Sequence, residues 1–331
     1  MELRLRVAVV GAGRMGRRHA ENLCAGPRSA VSWIVDPAPE AAALAQRLGA
    51  HWAPGLEVLT AADIDAVVIA TPSPLHAAAV ETALEAGHPV FCEKPLLPGL
   101  EATRTLAARI EASGRYFQIG FMRRYDPAYA EARRAVAAGE LGNLRHLLLI
   151  SRDALPPPEA YLAVSGGIFT DLGIHDIDLL RWLSGDEIVS ATAQGTVGET
   201  AYIGALGDAE EAQALVRLRG GACASLLLSR TSLYGYDIRT ELWGTAGSLC
   251  VGYLREPAVE RRDRGGLHAR AVPGFLERFA LAYRLEMEDF AARVLEGRPS
   301  PATAADALAA AAVAEACSRS FASGQPARVE A

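Results

Sequence analysis

The sequence predicts an α/β protein with two domains: a doubly wound parallel sheet over residues 1–121, and an α/β domain with a mostly antiparallel sheet over residues 122–331. Strand-like and helix-like segments alternate through the first domain, which is typical of parallel strands joined by right-handed crossovers. In the second domain several strand-like runs follow one another without helices between them, which favours antiparallel pairing. A chain of 331 residues is long enough to bury two cores.

Apolar runs bounded by turn residues define the elements of the first domain. The predicted strands are 5–10, 31–35, 65–70, 88–92 and 116–120, and the predicted helices are 17–24, 40–48, 75–86 and 99–113. Each strand except the last is followed by a helix, so the strands pair in parallel and the helices cover the sheet. The domain boundary is expected near Phe121–Met122.

In the second domain the pattern changes from alternation to successive strands. The predicted strands are 144–151, 187–196, 211–219, 222–230, 236–243 and 247–254, with helices at 126–138, 171–183, 275–296 and 302–322. Residues 200–209 and 263–267 are expected to form loops. Successive strands without crossover helices indicate a mostly antiparallel sheet.

A glycine-rich loop follows the first strand directly. Gly11-Ala12-Gly13-Arg14-Met15-Gly16 lies between strand 5–10 and a helix, which is the context that the Rossmann dinucleotide fingerprint requires. Gly11 permits the tight turn, Gly13 lets a pyrophosphate approach the backbone, and Gly16 lets the helix pack close to the strand. The helix amino end favours the phosphates. The alternative is an ordinary glycine turn.

Asp36 ends the second strand, where the fingerprint places the acid that binds the adenosine ribose. A carboxylate there repels a 2′-phosphate, and the next residues, 37–39, contain no Arg to accommodate one. The sequence therefore predicts NAD rather than NADP as the cofactor. Alternatively, Asp36 only begins the turn before the next helix.

The loop after strand 65–70 carries Thr71, Pro72 and His76, which we expect to line the cofactor cleft. This placement follows because ligands of open parallel sheets bind beyond the carboxyl ends of the strands. His76 could equally be a surface histidine in the first turn of the next helix.

Lys94 is the only lysine among 33 basic side chains. Arginine replaces lysine readily on a surface, but a guanidinium cannot share a proton as an ammonium does, so this position predicts a specific role. Lys94 follows Glu93 at the carboxyl end of a buried strand and precedes Pro95, whose peptide bond can be cis. Chance survival of one surface lysine is the alternative.

A second polar cluster lies in Gly166–Leu183. If the segment is helical from Asp171, then Asp171, His175 and Asp178 share one face. Carboxylates beside an imidazole stabilise its charged form and raise the pKa of His175 towards the working pH of a general base. Two alternatives stay open: a solvated helix start, and a divalent metal site, for which no further ligand is placed.

Composition restricts the partners. The net charge of −6 and the pI near 5.7 argue against nucleic acid, and no apolar run is long enough to span a bilayer. The five cysteines form no metal or disulfide spacing, and strand 5–10 follows the amino terminus too closely for a signal peptide. A cytoplasmic enzyme with a small-molecule substrate is the expectation.

Four stretches of the chain are distinctive in combination: the glycine motif, Glu93-Lys94-Pro95, Gly120–Asp126 and Gly167–Asp178. Together they resemble the Gfo/Idh/MocA oxidoreductase family, and in particular its inositol 2-dehydrogenases. The resemblance implies a catalytic trio of Lys94, Asp171 and His175. It also implies NAD, bound partly by Arg14, Met15 and Glu93. The second domain would contain a large open sheet whose face often mediates homodimers or homotetramers.

The same resemblance implies a polyol pocket lined by Met122, Arg123, Asp153, Asp178 and Tyr234. Local signals agree weakly: Arg123 and Arg124 follow a strand, Asp153 follows another, and the segment Tyr234–Asp237 could point an aromatic hydroxyl inwards. Asp153 replaces the asparagine of the inositol dehydrogenases, which exchanges a donor and acceptor for an acceptor only. The identity of the polyol is left open by this difference.

The predicted reaction is NAD-dependent oxidation of a secondary ring hydroxyl of a cyclic polyol, from a myo-inositol-like substrate to the inosose. His175 takes the hydroxyl proton, Asp171 orients His175, and Lys94 offsets charge on the reacting oxygen. Alternatives are a sugar dehydrogenase or ketosugar reductase of the same family, a non-catalytic NAD-binding regulator, and a structural subunit.

Overall fold

A computed structural model describes residues 4–61, 63–252 and 260–330 of the chain. The chain divides into two compact units, the first formed by residues 1–125 with 281–308 and the second by residues 126–280 with 309–331. Residues 253 and 254 of the predicted strand 247–254 lie outside the described residues. None of the helices in the described part is both long and apolar enough to cross a membrane.

The described residues contain fifteen strands and twelve α-helices. The strands are β1 (Leu5–Val10), β2 (Ser29–Val35), β3 (His51–Ala53), β4 (Ala66–Ile69), β5 (Val90–Glu93), β6 (Phe117–Gly120), β7 (Leu144–Arg152), β8 (Ile188–Thr196), β9 (Glu211–Leu218), β10 (Cys223–Ser229), β11 (Asp237–Gly244), β12 (Ser248–Val251), β13 (Glu260–Asp263), β14 (Gly266–Ala269) and β15 (Ala327–Arg328). The helices are α1 (Arg14–Ala25), α2 (Ala41–Leu48), α3 (His76–Glu85), α4 (Leu100–Ser113), α5 (Pro127–Ala137), α6 (Glu159–Leu162), α7 (Ile168–Asp171), α8 (Gly173–Ser184), α9 (Ala201–Ala205), α10 (Phe275–Arg278), α11 (Ala280–Glu296) and α12 (Ala304–Ser323).

The first unit contains a six-stranded parallel sheet in the order β3-β2-β1-β4-β5-β6. In this doubly wound order the sheet is extended to one side from β1 and then to the other side from β4. Ligands bind at the switch point between β1 and β4. The fold-class prediction for this part is confirmed. The short strand β3 was not predicted, because three residues are too few to show a period.

Helix α11 belongs to the first unit although it follows the second unit's strands in sequence. Met287, Phe290 and Ala291 on α11 are buried in the same hydrophobic cluster as Val7 and Val9 of β1. A boundary at residues 121–122 therefore leaves out a helix that completes the first core. Such a return of the chain has no local signal in the sequence.

The second unit contains a seven-stranded sheet in the order β12-β11-β7-β10-β9-β8-β15. β7 and β10 pair in parallel and the other neighbours are antiparallel, so the predicted mostly antiparallel sheet is confirmed. Alternate residues of β9 are buried, which gives the sheet an inner and an outer face. Helix α8 packs on the inner face against β7 and β10.

Four local predictions for the second unit need correction. The predicted helix 171–183 is two helices, α7 and α8, separated at Leu172. The predicted helix 275–296 is divided at Phe279 into α10 and α11. The loop predicted at 263–267 is part of the hairpin β13–β14, and the loop predicted at 200–209 contains α9.

Candidate active site

The turn after β1 has a shape that only glycine can adopt. Gly11 has φ of 94°, and its N–H donates to the carbonyl oxygen of Val35 at 2.8 Å. A Cβ on Gly11 would lie 2.7 Å from the backbone of Ala70 and Thr71. The turn therefore brings the ends of β1, β2 and β4 together at the edge where α1 begins.

Gly16 and Gly13 face different surroundings on α1. A Cβ on Gly16 would lie 1.7 Å from the carbonyl oxygen of Gly11, so this glycine lets the helix approach the turn. Gly13 caps the amino end of α1, and a Cβ there would meet nothing within 4 Å. Arg14 is exposed and Met15 is half-buried beside this open end. The amino end of a 12-residue helix is thus open to an anion.

Asp36 connects the end of β2 to the glycine turn. Its Oδ2 accepts from the Ala12 N–H at 2.7 Å, and its Oδ1 accepts from the Ala38 N–H at 2.8 Å. The bond to Ala38 begins the turn before the next helix, as the alternative role of Asp36 predicts, but the bond to Ala12 shows that the turn is only part of its role. Each carboxylate oxygen retains an acceptor site, as binding of a ribose hydroxyl requires.

His76 holds two loops together from inside the domain. The ring is 1% exposed, with Nε2 2.9 Å from the Thr71 carbonyl oxygen and Nδ1 3.0 Å from that of Pro95. Burial lowers the pKa of His76. The surface-histidine alternative is therefore wrong, and His76 orients the loops after β4 and β5. Pro72 in the first loop is exposed.

Glu93 links the peptide of Lys94 to helix α1. Its Oε1 lies 2.6 Å from Nε2 of the fully buried His19, and its Oε2 accepts from the Lys94 N–H at 3.1 Å. Burial acts to raise the pKa of Glu93, but the His19 bond, its charge and that of Lys94 outweigh burial and hold the pKa below its usual value. The Lys94–Pro95 peptide bond is cis.

Two arginines follow β6 and differ in their surroundings. Arg123 is buried, as is the preceding Met122. Arg124 donates to the carbonyl oxygen of Pro301 at 2.6 Å and lies 3.3 Å from Asp306, within the first unit. Arg124 is thus a structural residue, while the part of Arg123 in substrate binding stays a prediction.

In the second unit the predicted polar face is buried rather than solvated. Asp171, His175 and Asp178 are all buried, so the alternative of a solvated helix start is wrong. Leu172 keeps right-handed helical angles between α7 and α8, so Asp171 and His175 remain one helical turn apart. Gly173 follows the division, and a Cβ there would lie 2.9 Å from Leu228 on the inner face of the sheet.

Both carboxylate oxygens of Asp171 have side-chain partners that sequence reasoning missed. The Tyr161 hydroxyl donates to Oδ1 at 2.7 Å, and Nη1 of Arg230 donates to Oδ2 at 3.2 Å. Arg230 also donates from Nη2 to Asp208 Oδ2 at 2.9 Å. Arg230 follows the apolar strand β10, and a charge in that position was the available signal.

Asp153 and Tyr234 lie beside the paired ends of strands β7 and β11. Asp153 is half-buried, and its carbonyl oxygen accepts from the Ser232 N–H at 2.7 Å. Tyr234 is 55% exposed, and its hydroxyl contacts Asp237 and Arg152, which pair across β11 and β7. The register places those two side chains on the outer face, so the Tyr234 hydroxyl lies at that face, while Tyr236 of the same segment is buried. The part of both residues in substrate binding stays a prediction.

The first unit fits a dinucleotide. The Thr71 Oγ1 atom is buried without a hydrogen-bond partner among the described residues, at the same sheet edge as the open amino end of α1. An unsatisfied buried hydroxyl there is consistent with a ligand that completes its hydrogen bonds. Among the described residues no group of three His, Cys, Asp or Glu side chains is arranged to hold a metal ion.

Comparison with known families agrees with this geometry. The sequence model of the oxidoreductase family with an NAD-binding Rossmann fold matches residues 5–121, and the model of the GFO/IDH/MocA C-terminal domain matches residues 129–250. The chain belongs to the Gfo/Idh/MocA oxidoreductase family. The resemblance that the motifs suggested is therefore confirmed, as is the NAD-binding class of the first domain.

Relatives within the Gfo/Idh/MocA family span the whole chain. It is 38% identical to a scyllo-inositol 2-dehydrogenase (NAD(+)) from Bacillus subtilis (strain 168), over 100% of this chain and 98% of that protein. A myo-inositol dehydrogenase structure from Corynebacterium glutamicum has a TM-score of 0.93, 34% identity, and coverage of 99% and 100%. A Lactobacillus casei scyllo-inositol dehydrogenase with bound NAD(H) and scyllo-inositol has a TM-score of 0.90, 31% identity, and coverage of 98% and 99%.

Proposed function

We propose that the protein oxidises a secondary ring hydroxyl of an inositol-like cyclic polyol to the ketone, with NAD⁺ as the hydride acceptor. The observation that carries this proposal is the buried Asp171, fixed on both carboxylate oxygens one helical turn before His175. An imidazole can act as a general base when a buried carboxylate orients it and stabilises its charged form. Relatives that span the whole chain and act on inositols support the choice of substrate class.

In this mechanism three residues act on one hydroxyl group. An imidazole nitrogen of His175 accepts the hydroxyl proton, and Asp171 orients the ring and stabilises its charged form. The Lys94 ammonium donates a hydrogen bond to the reacting oxygen and offsets the negative charge that develops there. When bound, the nicotinamide supplies the acceptor for the hydride that leaves the ring carbon.

The cofactor residues we assign follow from the first unit. Gly11, Gly13 and Gly16 shape the turn at the pyrophosphate, and Arg14 and Met15 lie beside it. Asp36 accepts the ribose hydroxyl, and its charge disfavours a 2′-phosphate. Thr71 and Pro72 lie on the neighbouring loop, while His76 and Glu93 position the backbone around it.

The substrate residues we assign are Met122, Arg123, Asp153, Asp178 and Tyr234. A polyol needs several polar partners, because each hydroxyl both donates and accepts. Asp153 offers acceptors only, so it favours a hydroxyl that donates. A carboxylate at this position would therefore select among polyols by the orientation of one hydroxyl group.

The direct test is reduction of the cofactor by myo-inositol, scyllo-inositol and glucose under identical conditions, measured as NADH with NAD⁺ and as NADPH with NADP⁺. We expect an inositol with NAD⁺ to be oxidised fastest. Faster oxidation of glucose would favour the sugar dehydrogenase, and tight NAD⁺ binding without turnover of any compound would favour the non-catalytic regulator.

We further propose that the protein is a cytoplasmic homodimer or homotetramer that associates through the outer face of the second sheet. Leu215 on that face is 56% exposed, and Trp243 lies on the same face by register. Exposed apolar side chains on an ordered sheet are typical of an association surface. No membrane or nucleic-acid partner forms part of the proposal.

A further inference from the structure

The partners of Asp171 suggest how its charge is controlled. We propose that Tyr161 and Arg230 are positioning residues that fix Asp171 in one orientation and limit the negative charge it presents to His175. The inference rests on the proposed function in one respect, the role of His175 as the base. The arrangement itself is formed within the second unit by residues from α6, α7 and the segment after β10.

Arg230 divides one positive charge between two carboxylates. Its side chain is 0% exposed, with Nη1 3.2 Å from Asp171 and Nη2 2.9 Å from Asp208. A guanidinium has nitrogens that point to both acceptors at once, whereas an ammonium is a single compact charge. In surroundings of low dielectric, this shared cation stabilises the ionised form of both carboxylates.

Asp208 is held independently of Arg230. Its Oδ1 accepts from the N–H groups of Ile168 and Ala209, each at 2.9 Å. Ile168 begins helix α7, so the same carboxylate that pairs with Arg230 also fixes the start of the helix that carries Asp171. The position of the cation relative to Asp171 is therefore set by the backbone and not by a mobile side chain.

Tyr161 holds the other oxygen of Asp171 and has a different character. Its hydroxyl donates to Oδ1 at 2.7 Å, but the residue is 45% exposed. A donor on each oxygen restricts the carboxylate to one rotation, and each hydrogen bond stabilises the charged carboxylate. Because Asp171 is stabilised by these donors, less of its charge is available to stabilise the imidazolium of His175.

Other charged groups around His175 lie on the elements packed against α8. Asp176 and Asp178 are buried on α8 itself, and Arg230 follows β10. Helix α5 contributes Arg133, whose guanidinium donates to the carbonyl oxygen of Leu183 at the far end of α8. Arg230 and Tyr161 contact Asp171, so they reduce the effect of one of the three buried carboxylates, Asp171, Asp176 and Asp178, on the pKa of His175.

The test follows the titration of the His175 ring by NMR in the full-length protein with NAD⁺, with its signal assigned by its loss in His175→Gln. Tyr161→Phe removes a donor and should raise the pKa of His175 by about half a pH unit. Asp208→Asn removes a carboxylate that competes with Asp171 for Arg230. The variant should therefore lower the pKa of His175 by a similar amount. Polyol oxidation should show the same opposite displacements in its dependence on pH.

A purely structural role predicts a different result. Arg278→Met is the control, because the Arg278 side chain is only 5% exposed and pairs with Asp126 at 2.6 Å in the same unit. It should lower the melting temperature without moving the His175 titration. If Asp208→Asn does not fold, Tyr161→Phe decides, since the half-exposed ring is retained.

An unchanged His175 titration in the folded variants would overturn the inference even if the protein oxidises polyols. A protein that oxidises no polyol but shows the predicted displacement would overturn the proposed function and leave the positioning roles intact. The two failures are thereby distinguishable.

Discussion

Lys94 is the residue at which charge and proton sharing can be separated. Lys94→Arg keeps the positive charge but replaces a compact ammonium by a planar group that does not release its proton. We expect turnover of the polyol to fall by at least about a hundredfold, because the larger planar group cannot place its donor and charge at the oxygen where negative charge develops. NAD⁺ binding, measured by calorimetry, should be retained. Near-normal turnover would contradict the role assigned to Lys94.

The His19–Glu93 pair makes a prediction about stability and pH. The folded-state pKa of Glu93 is lowered, so its ionised form stabilises the fold above the usual value of 4.5, and that contribution is lost as the pH falls through the folded-state pKa. Glu93→Gln should therefore lower the melting temperature near neutral pH. The difference in melting temperature between wild type and Glu93→Gln should become smaller as the pH falls below 4.5.

The control for Glu93→Gln is Glu101→Gln, since the Glu101 side chain is 84% exposed. This variant should melt close to wild type at every pH, because exposed charges contribute little. A gap between wild type and Glu93→Gln that stays constant with pH would show that the lost carboxylate charge is not what stabilises the fold.

At the level of single residues, sequence reasoning found groups that stand out locally. Lys94 is unique in the chain, and Asp171 and His175 share a helical spacing. Arg230 and Tyr161 were missed, because they lie 59 and 10 residues from Asp171 and only the fold reveals the contact. The contacts of the Tyr234 hydroxyl at the outer face were not predicted, since they depend on which face of the sheet its neighbours occupy.

The start of helix α1 allows two glycines to be compared. A Cβ on Gly16 would lie 1.7 Å from the Gly11 carbonyl oxygen, whereas one on Gly13 would meet nothing within 4 Å. Gly16→Ala should therefore destabilise the first unit, seen as a lower melting temperature. Gly13→Ala should melt like wild type but bind NADH at least about tenfold more weakly, a cost of about 1.4 kcal/mol, because its methyl group occupies space assigned to the pyrophosphate.

Calorimetric titration with NADH and thermal unfolding of both variants measure these effects. Unchanged NADH affinity in Gly13→Ala would show that the pyrophosphate does not bind at the amino end of α1. Normal stability of Gly16→Ala would show that the helix can move away from the turn at no cost.

Among the elements, long periodic segments were predicted well and their interruptions were not. The predicted helix 171–183 is divided at Leu172, where Gly173 lets α8 approach Leu228 on β10. That contact is tertiary, so no local sequence pattern predicts it. Residues 263–267 of the hairpin β13–β14 were predicted as a loop because their charged and glycine-rich sequence has no apolar alternation.

For the whole molecule, topology followed from the order of the elements, but the division into domains did not. Alternating strands and helices fix a parallel sheet, and successive strands fix an antiparallel one. Helix α11 joins the first unit through Met287 and Phe290, which a linear boundary cannot express.

Association through the outer face of the second sheet is testable at the same scale. Leu215→Glu places a charge on that face, and we expect the sedimentation coefficient to fall to that of a smaller species, because burying an unpaired charge at an interface is costly. Gln213→Glu on the same face of β9 tests whether added charge alone has this effect. An unchanged sedimentation coefficient for Leu215→Glu would exclude this part of the face from the interface.

The most direct measurement of the central claim follows one hydrogen atom. An inositol that carries deuterium on its oxidised ring carbon is incubated with the protein and NAD⁺, and the reduced cofactor is analysed by mass spectrometry. We expect the deuterium to appear in the nicotinamide ring of the product and the transfer to be at least about a hundredfold slower in Lys94→Arg. Deuterium released to water, or no reduced cofactor from any inositol, would contradict the claim.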